Sequence, residues 1–292
     1  MIEIRKLSTC SFDAALDIWN RGFEGYFMDM TFTMDRLVGR FGLDGLSPDL
    51  SVVACVDGEL AGFVLNGIRM VKGTKVAWNG GTGVATKFRG QGIGAQLVEA
   101  SLQVYRDADV QLATLEAIAK NEPAIRLYEK MGYVTVDRVT FLQRRGTLAP
   151  NTFTERFSYV ERQGIPADVA NLDFYGENVA WQAHWASIRD GESLVLLEAG
   201  QPVGYALFKR TLGESGSLNA IALYQCEVAP HRTDARAIIE HLLFRLYAPH
   251  EVDCLRYTIN ARMSNEILMD VLQQAGFTTL SEQVYMERKM EA

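Results

Sequence analysis

The stretch "TKFRGQGIGAQLVEA", residues 86–100, sets three glycines within five positions and then runs straight into a helical pattern. Glycine costs a helix roughly 1 kcal/mol relative to alanine, so a cluster at a helix start needs a reason. The preceding "KVAWNGGTGVAT" has the character of a strand. Strand, glycine loop and helix together describe an anion cradle: a helix N-terminus offers unpaired N–H groups and about half a positive charge, and glycines remove the side chains that would keep an anion away. The helix has a broad apolar face (Ile93, Leu97, Val98, Leu102, Val104, Tyr105) and a polar stripe (Gln96, Glu99, Gln103, Arg106), which pins it against a sheet. The plain alternative is a tight turn whose glycines serve packing alone.

Working outward, the chain repeats itself. "VVACVDGELAGFVLN" (52–66) and "LVLLEAGQPVGYALF" (194–208) share a strand–turn–strand order, with Gly58 matching Gly200 and Gly62 matching Gly204 at an offset of 142. "NEPAIRLYEKMGY" (121–133) parallels "NEILMDVLQQAGF" (265–277), with Asn121 against Asn265 and Gly132 against Gly276 at an offset of 144. At that offset "GVATKFRGQGIG" falls opposite "EVAPHRTDARAI" (227–238). A register held across half the chain implies a duplicated domain. We expect a first domain over 1–145, a linker over 146–154 and a second domain over 155–292, in the Gly- and Pro-bearing "RRGTLAPNTFTE". Each half is an α/β layer, a mixed sheet flanked by helices. In the first, helices are expected within 11–40, 91–107 and 121–131, and strands near 51–56, 61–70, 75–85, 110–118 and 134–143.

Composition narrows the function. A net charge of −7 over 292 residues lacks the basic footprint of a nucleic-acid partner, and no apolar run is long enough to cross a membrane. Four scattered histidines have no metal-ligand spacing, so no metal is expected. The four cysteines (Cys10, Cys55, Cys226, Cys254) form no CxxC pair and read as reduced thiols, which points to the cytoplasm. A homodimer is left open.

Two ligands compete for the loop. Gly90, Gly92 and Ala95 fit the dinucleotide fingerprint G-x-G-x-x-A, but Thr86, Lys87, Phe88 and Arg89 separate it from the strand, which disfavours a nicotinamide-dependent oxidoreductase. With the arginine included, "RGQGIG" is R-x-x-G-x-G, and it resembles the acyl-CoA pyrophosphate loop of the GNAT superfamily of N-acetyltransferases. "LEAIAKNEPAIRLYEKMGY" resembles that family's fifth strand and following helix, with N-x-x-A-x-x-L-Y-E-x-x-G-[FY] intact. The second half resembles the same fold without the loop: "TDARAI" has no glycine, and Leu272 stands opposite Tyr128. The resemblance is to a tandem GNAT protein with an active first and a degenerate second domain.

That resemblance implies acetyl-CoA as co-substrate and a small amine as acceptor, joined by direct attack. Val84 and Ala85 would offer backbone hydrogen bonds to the pantetheine arm. Arg89 and the loop Gly90, Gln91, Gly92, Ile93, Gly94 and Ala95 would take the pyrophosphate. Asn121 would contact the cofactor, unless it serves only as a helix N-cap. Tyr128, a phenol ordinarily near pKa ~10, would protonate the departing thiolate. Glu116 is the first choice for general base, then Glu24 and Asp29, or a base acting through water. The acceptor would meet "IWNRGFEGYFMDMTFTM" (18–34), where Glu24, Tyr26, Phe27 and Asp29 suit a cationic or amphipathic amine. In the second half, "NVAWQAHWASIRDG" places Trp181, His184 and Trp185 on one helical face, expected to serve packing. A non-catalytic acyl-CoA sensor would keep the loop and turn over no amine.

Overall fold

The computed structural model describes residues 1–156 and 158–290. In chain order the elements are β1 (Ile2–Lys6), α1 (Phe12–Gly22), α2 (Met34–Leu43), β2 (Leu46–Val56), β3 (Glu59–Val71), β4 (Thr74–Val84), α3 (Ile93–Asp107), β5 (Leu112–Ile118), α4 (Glu122–Lys130) and β6 (Val134–Gly146). Then follow β7 (Val160–Gly164), β8 (Glu192–Glu198), β9 (Gln201–Leu212), β10 (Leu218–Val228), α5 (Ala235–Leu246), β11 (Cys254–Thr258), β12 (Ala261–Arg262), α6 (Glu266–Gln274) and β13 (Thr278–Lys289). Two compact units result, Met1–Val136 with Val284–Ala292, and Asp137–Gln283.

In the first unit β1–β2–β3–β4 are antiparallel, β5 joins β4 in parallel, and the last part of β13 lies beyond β5. In the second, β7–β8–β9–β10 are antiparallel, β11 is parallel to β10, and β6 pairs with β11. Both match the expected mixed α/β sheet. The closing strands do not follow the expected boundaries at 145 and 155. Most of β6 counts with the second unit, and the chain from Val284 counts with the first. Arg288 donates to the carbonyl of Met131 at the end of α4, and Arg144 to that of Ala275 at the end of α6. These arginines are 144 apart, so each half's closing strand caps the helix of the other half's sequence.

The duplication extends to irregularities. A register shift in β3–β4 leaves Gly80 as a bulge, and the shift in β9–β10 leaves Tyr224 in the same role, 144 residues on. Asn121 and Asn265 both cap their helices, accepting from Ala124 N at 3.3 Å and Leu268 N at 3.2 Å.

The expected helical span 11–40 is two helices separated by a loop over 23–33. "NVAWQAHWASIRDG" is not a helix but two 3₁₀ turns, Trp181–Ala183 and Trp185–Ser187. Side chains hold the backbone groups a helix would pair internally. Gln225 donates to Ala183 O, Tyr175 OH accepts from Trp185 N, and Ser187 Oγ donates to Trp181 O.

Candidate active site

The site begins where two strands stop pairing. β4 and β5 run in register from Val76 opposite Leu112 to Asn79 opposite Leu115. Val84 and Ile118 mark how far the two strands continue past that point. The bulge at Gly80 sits at this divergence, and only glycine fits it: a Cβ there would lie 2.6 Å from the Trp78 ring and 2.8 Å from Leu46.

Beyond β4 lies the glycine loop. Gly90 and Gly92 both adopt φ of +78°, the left-handed region that favours glycine, and a Cβ on either would meet nothing within 4 Å. Gly92 is the N-cap of α3 and offers no side-chain cap, and the first turn carries no acidic residue. The helix is held rigidly beneath. Ile93, Leu97, Val98, Leu102 and Tyr105 are buried, and Asn66 of β3 joins Ser101 and Tyr105 of α3 by hydrogen bonds. An open, uncapped, fixed helix terminus with glycines around it could hold an anion such as a diphosphate through its dipole and backbone amides.

Arg89 occupies a different place from the expected one. Its Nε donates to Val84 O at 2.9 Å, and one terminal nitrogen donates to Gly22 O at 3.1 Å and Glu24 O at 2.8 Å. It ties the loop to the end of α1. Lys87 is likewise paired with Glu59, at 2.7 Å. Gln91 reaches back to Lys87 O at 3.4 Å. Val84 and Ala85 have few free backbone groups, since Val84 O is held by Arg89, Ala85 N by Ala61 O at 2.9 Å, and Ala85 O by Phe88 N at 2.8 Å.

Tyr128 comes to the divergence from α4. It is buried, packs edge-on to Tyr133, and shares a cluster with Val98, Leu102 and Leu115. Burial pushes its pKa up to about 12, while hydrogen bonding from Thr82 and Asn79 acts the other way. The phenol is therefore a weaker acid than the free side chain. Tyr26, on the loop after α1, lies close enough to Tyr128 to influence it, and its own hydroxyl, raised by burial, hydrogen-bonds with Asn121. The structure thus brings together Tyr128, Asn121 and Tyr26. It adds Asn79 and Thr82, which the sequence reading missed.

Glu116 occupies the opposite face. Ala113, Leu115 and Ala117 of β5 pack with Tyr128, and strand alternation sends Glu116 to the side of α1 and α2. There it accepts a hydrogen bond from Trp78 Nε1 at 2.7 Å. Glu24 is exposed and receives Thr86 Oγ1 at 3.2 Å. Asp29 is also exposed, and its pKa is held low by Thr31, whose backbone N–H it accepts at 2.9 Å, so it is a poorer base than a free aspartate. Trp19 and Phe32 are core residues stacked 4.3 Å apart, whereas Tyr26 and Phe27 form the outer end of the same aromatic chain, and Phe27 is exposed.

At the matching positions the second unit carries an ion-paired carboxylate in place of the glycine. Asp234, opposite Gly90, is gripped by Arg232 at 2.7 and 2.6 Å and by Tyr159 at 2.9 Å, and Arg232 also holds Glu198 at 2.7 Å.

The model of the acetyltransferase (GNAT) family matches residues 12–133. An acetyltransferase from Pectobacterium atrosepticum is 30% identical over 147 residues, which are 49% of this chain and 95% of that protein. A GCN5-related N-acetyltransferase from Sphaerobacter thermophilus superposes with a TM-score of 0.66 at 17% identity, over 100% of this chain and 96% of its own. A tandem GNAT protein from the clavulanic acid biosynthesis pathway does so with a TM-score of 0.60 at 15% identity, over 100% and 99%. With the glycine loop, the diverging strands and the repeated fold in place, the chain belongs to the GNAT family of acetyltransferases.

Proposed function

We propose that the first unit transfers an acetyl group from acetyl-CoA to a primary amine of a small acceptor by direct attack, and that the second unit binds no acyl-CoA. The observation that carries this reading is the placement of the Tyr128 phenol at the β4–β5 divergence, on the same unit as an uncapped glycine-lined helix terminus. The terminus of α3 would hold the diphosphate and the divergence would admit the thioester.

The chemistry divides between the two faces. An ammonium must lose two of its three protons to become an amide. Glu116 stands on the face of α1 and α2 and would pass one proton to solvent. The nitrogen attacks the thioester carbon, the C–N bond forms, and the C–S bond then breaks with its electron pair going to sulfur. Tyr128 would give that sulfur a proton and regain one from the nitrogen. Tyr26 and Phe27 border the acceptor's approach, with Glu24 and Asp29 supplying negative charge around them. Cys10, Cys55, Cys226 and Cys254 are free thiols, in keeping with a reducing cytoplasm. None lies in these motifs, which favours direct transfer over an acyl-enzyme.

The test is a screen of primary amines, reading free-thiol release and the mass of the acetylated product. The reading holds if at least one amine is acetylated and Tyr128→Phe suppresses it. Stoichiometric acetyl-CoA binding with no turnover of any amine would instead favour an acyl-CoA sensor.

A further inference from the structure

α1 ends directly against β4. A Cβ on Gly22, the last residue of α1, would lie 2.8 Å from the Phe63 ring and 3.2 Å from the backbone of Gly83. One on Gly83 would lie 3.2 Å from the carbonyl carbon of Gly22, so both positions are glycine because backbone meets backbone. A helix end leaves carbonyls that the helix itself cannot pair. Arg89, one residue before Gly90 of the cradle, takes them. One terminal nitrogen donates to Gly22 O at 3.1 Å and to Glu24 O at 2.8 Å, and Nε donates to Val84 O at 2.9 Å. The guanidinium thus joins the last residue of β4 to the start of the loop over 23–33. Its neighbours add to the tie. Thr86 Oγ1 donates to the Glu24 carboxylate at 3.2 Å, and Lys87 and Arg21 share the Glu59 carboxylate at 2.7 and 2.8 Å.

From this geometry we infer that Arg89 is a positioning residue for the acceptor: it holds the loop that bears Tyr26 and Phe27 in place against β4, rather than serving as a ligand of the diphosphate. The inference rests on the acetyltransferase reading above, in which the amine enters past Tyr26 and Phe27. The far end of the loop is fixed by α1 itself, since Trp19 Nε1 donates to Met30 O at 2.8 Å and Asn20 Oδ1 accepts from Phe32 N at 2.8 Å. In between, Gly25 turns at φ of +70° with open space around it, and Phe27 and Met28 are exposed. This stretch therefore depends on how its two ends are held, and its near end is held by Arg89. Three carbonyls need the planar fork of a guanidinium, whereas lysine offers the same charge as a point donor. That difference separates two roles. A phosphate ligand tolerates lysine and not a neutral residue, while a brace across three carbonyls tolerates neither.

Two measurements on Arg89→Lys and Arg89→Gln test it, and the first needs no acceptor. Calorimetric titration with acetyl-CoA should give affinities within about threefold of the natural chain in both variants. In the same proteins, hydrogen exchange over residues 23–29 should quicken about tenfold, with exchange in β5 unchanged. The second uses whichever amine the screen identifies. KM for that amine should rise about tenfold in both variants, while KM for acetyl-CoA stays within about threefold. An acetyl-CoA affinity that falls tenfold in Arg89→Gln and holds in Arg89→Lys would overturn the inference, because it marks the side chain as a phosphate ligand. Unchanged exchange over 23–29, or an unchanged KM for the amine, would overturn it as well. If the natural chain binds no acetyl-CoA or turns over no amine, the acetyltransferase reading fails, and the exchange rates still decide whether Arg89 holds the loop.

Discussion

Glu116 and Tyr128 stand at the same divergence of β4 and β5 but on opposite faces of the sheet, the carboxylate bonded to Trp78 Nε1 at 2.7 Å and the phenol facing Thr82 and Asn79. On the proposed reading, Glu116 would accept a proton on one side and Tyr128 would donate one on the other. Glu116→Gln keeps an oxygen for the Trp78 indole and removes the carboxylate proposed as base. It should lower kcat/KM about 100-fold near neutral pH, and Tyr128→Phe should lower kcat by a similar factor with little change in KM for acetyl-CoA. Steady-state kinetics on both variants check this.

The pH dependence follows from burial of the phenol. Tyr128 is raised to about 12, so the protonated, proton-donating form dominates at every pH below that value. The alkaline limb of the rate profile should therefore stay flat from about pH 8 to about 10, where an ordinary tyrosine acid would begin to fail. A kcat profile over that range measures it.

In the second unit, fully buried Arg256 donates to the carbonyls of Tyr247, Gly146, Pro249 and Val252, and burial holds its pKa below the usual arginine value. Arg256→Met would leave these acceptors bare at the end of α5. We expect a loss of about 3 kcal/mol of stability, read from denaturant unfolding, with acetyl-CoA affinity of the first unit unchanged.

The exchanged closing strands predict how truncation behaves. A chain ending at residue 150 keeps α4 but loses Arg288 and the strand from Val284 that completes its unit. It should show no cooperative thermal transition by circular dichroism, and adding back the remainder by co-expression should restore one.

Sequence reading was strongest where the physics is local. The strand–helix order, the turn between β2 and β3 and the N-cap alternative for Asn121 each depend on a few neighbouring residues, and there the structure follows the sequence. Long-range assembly was opaque. A strand pattern says nothing of which partner it will take, so the fate of β6 and β13 was invisible. Thr82 and Asn79 look like ordinary residues of a glycine-rich strand, and only the fold shows them bonded to each other and to Gly81 at the bulge. Arg89 matched a phosphate motif, but only the fold reveals the three carbonyls it serves. The helical spacing of Trp181, His184 and Trp185 misled because distant Gln225 and Tyr175 hold the backbone groups a helix needs.

The central claim is that one unit, and only one, holds the acyl donor. Calorimetric titration with acetyl-CoA, on the natural chain and on Gly90→Asp, tests it most directly. That substitution copies the acidic residue the second unit carries at the matching position, Asp234. We predict one site per chain, weakened about 100-fold or more by Gly90→Asp, because a fixed carboxylate would occupy the amides and repel the diphosphate. Two sites, no binding, or an affinity indifferent to Gly90→Asp would contradict the account.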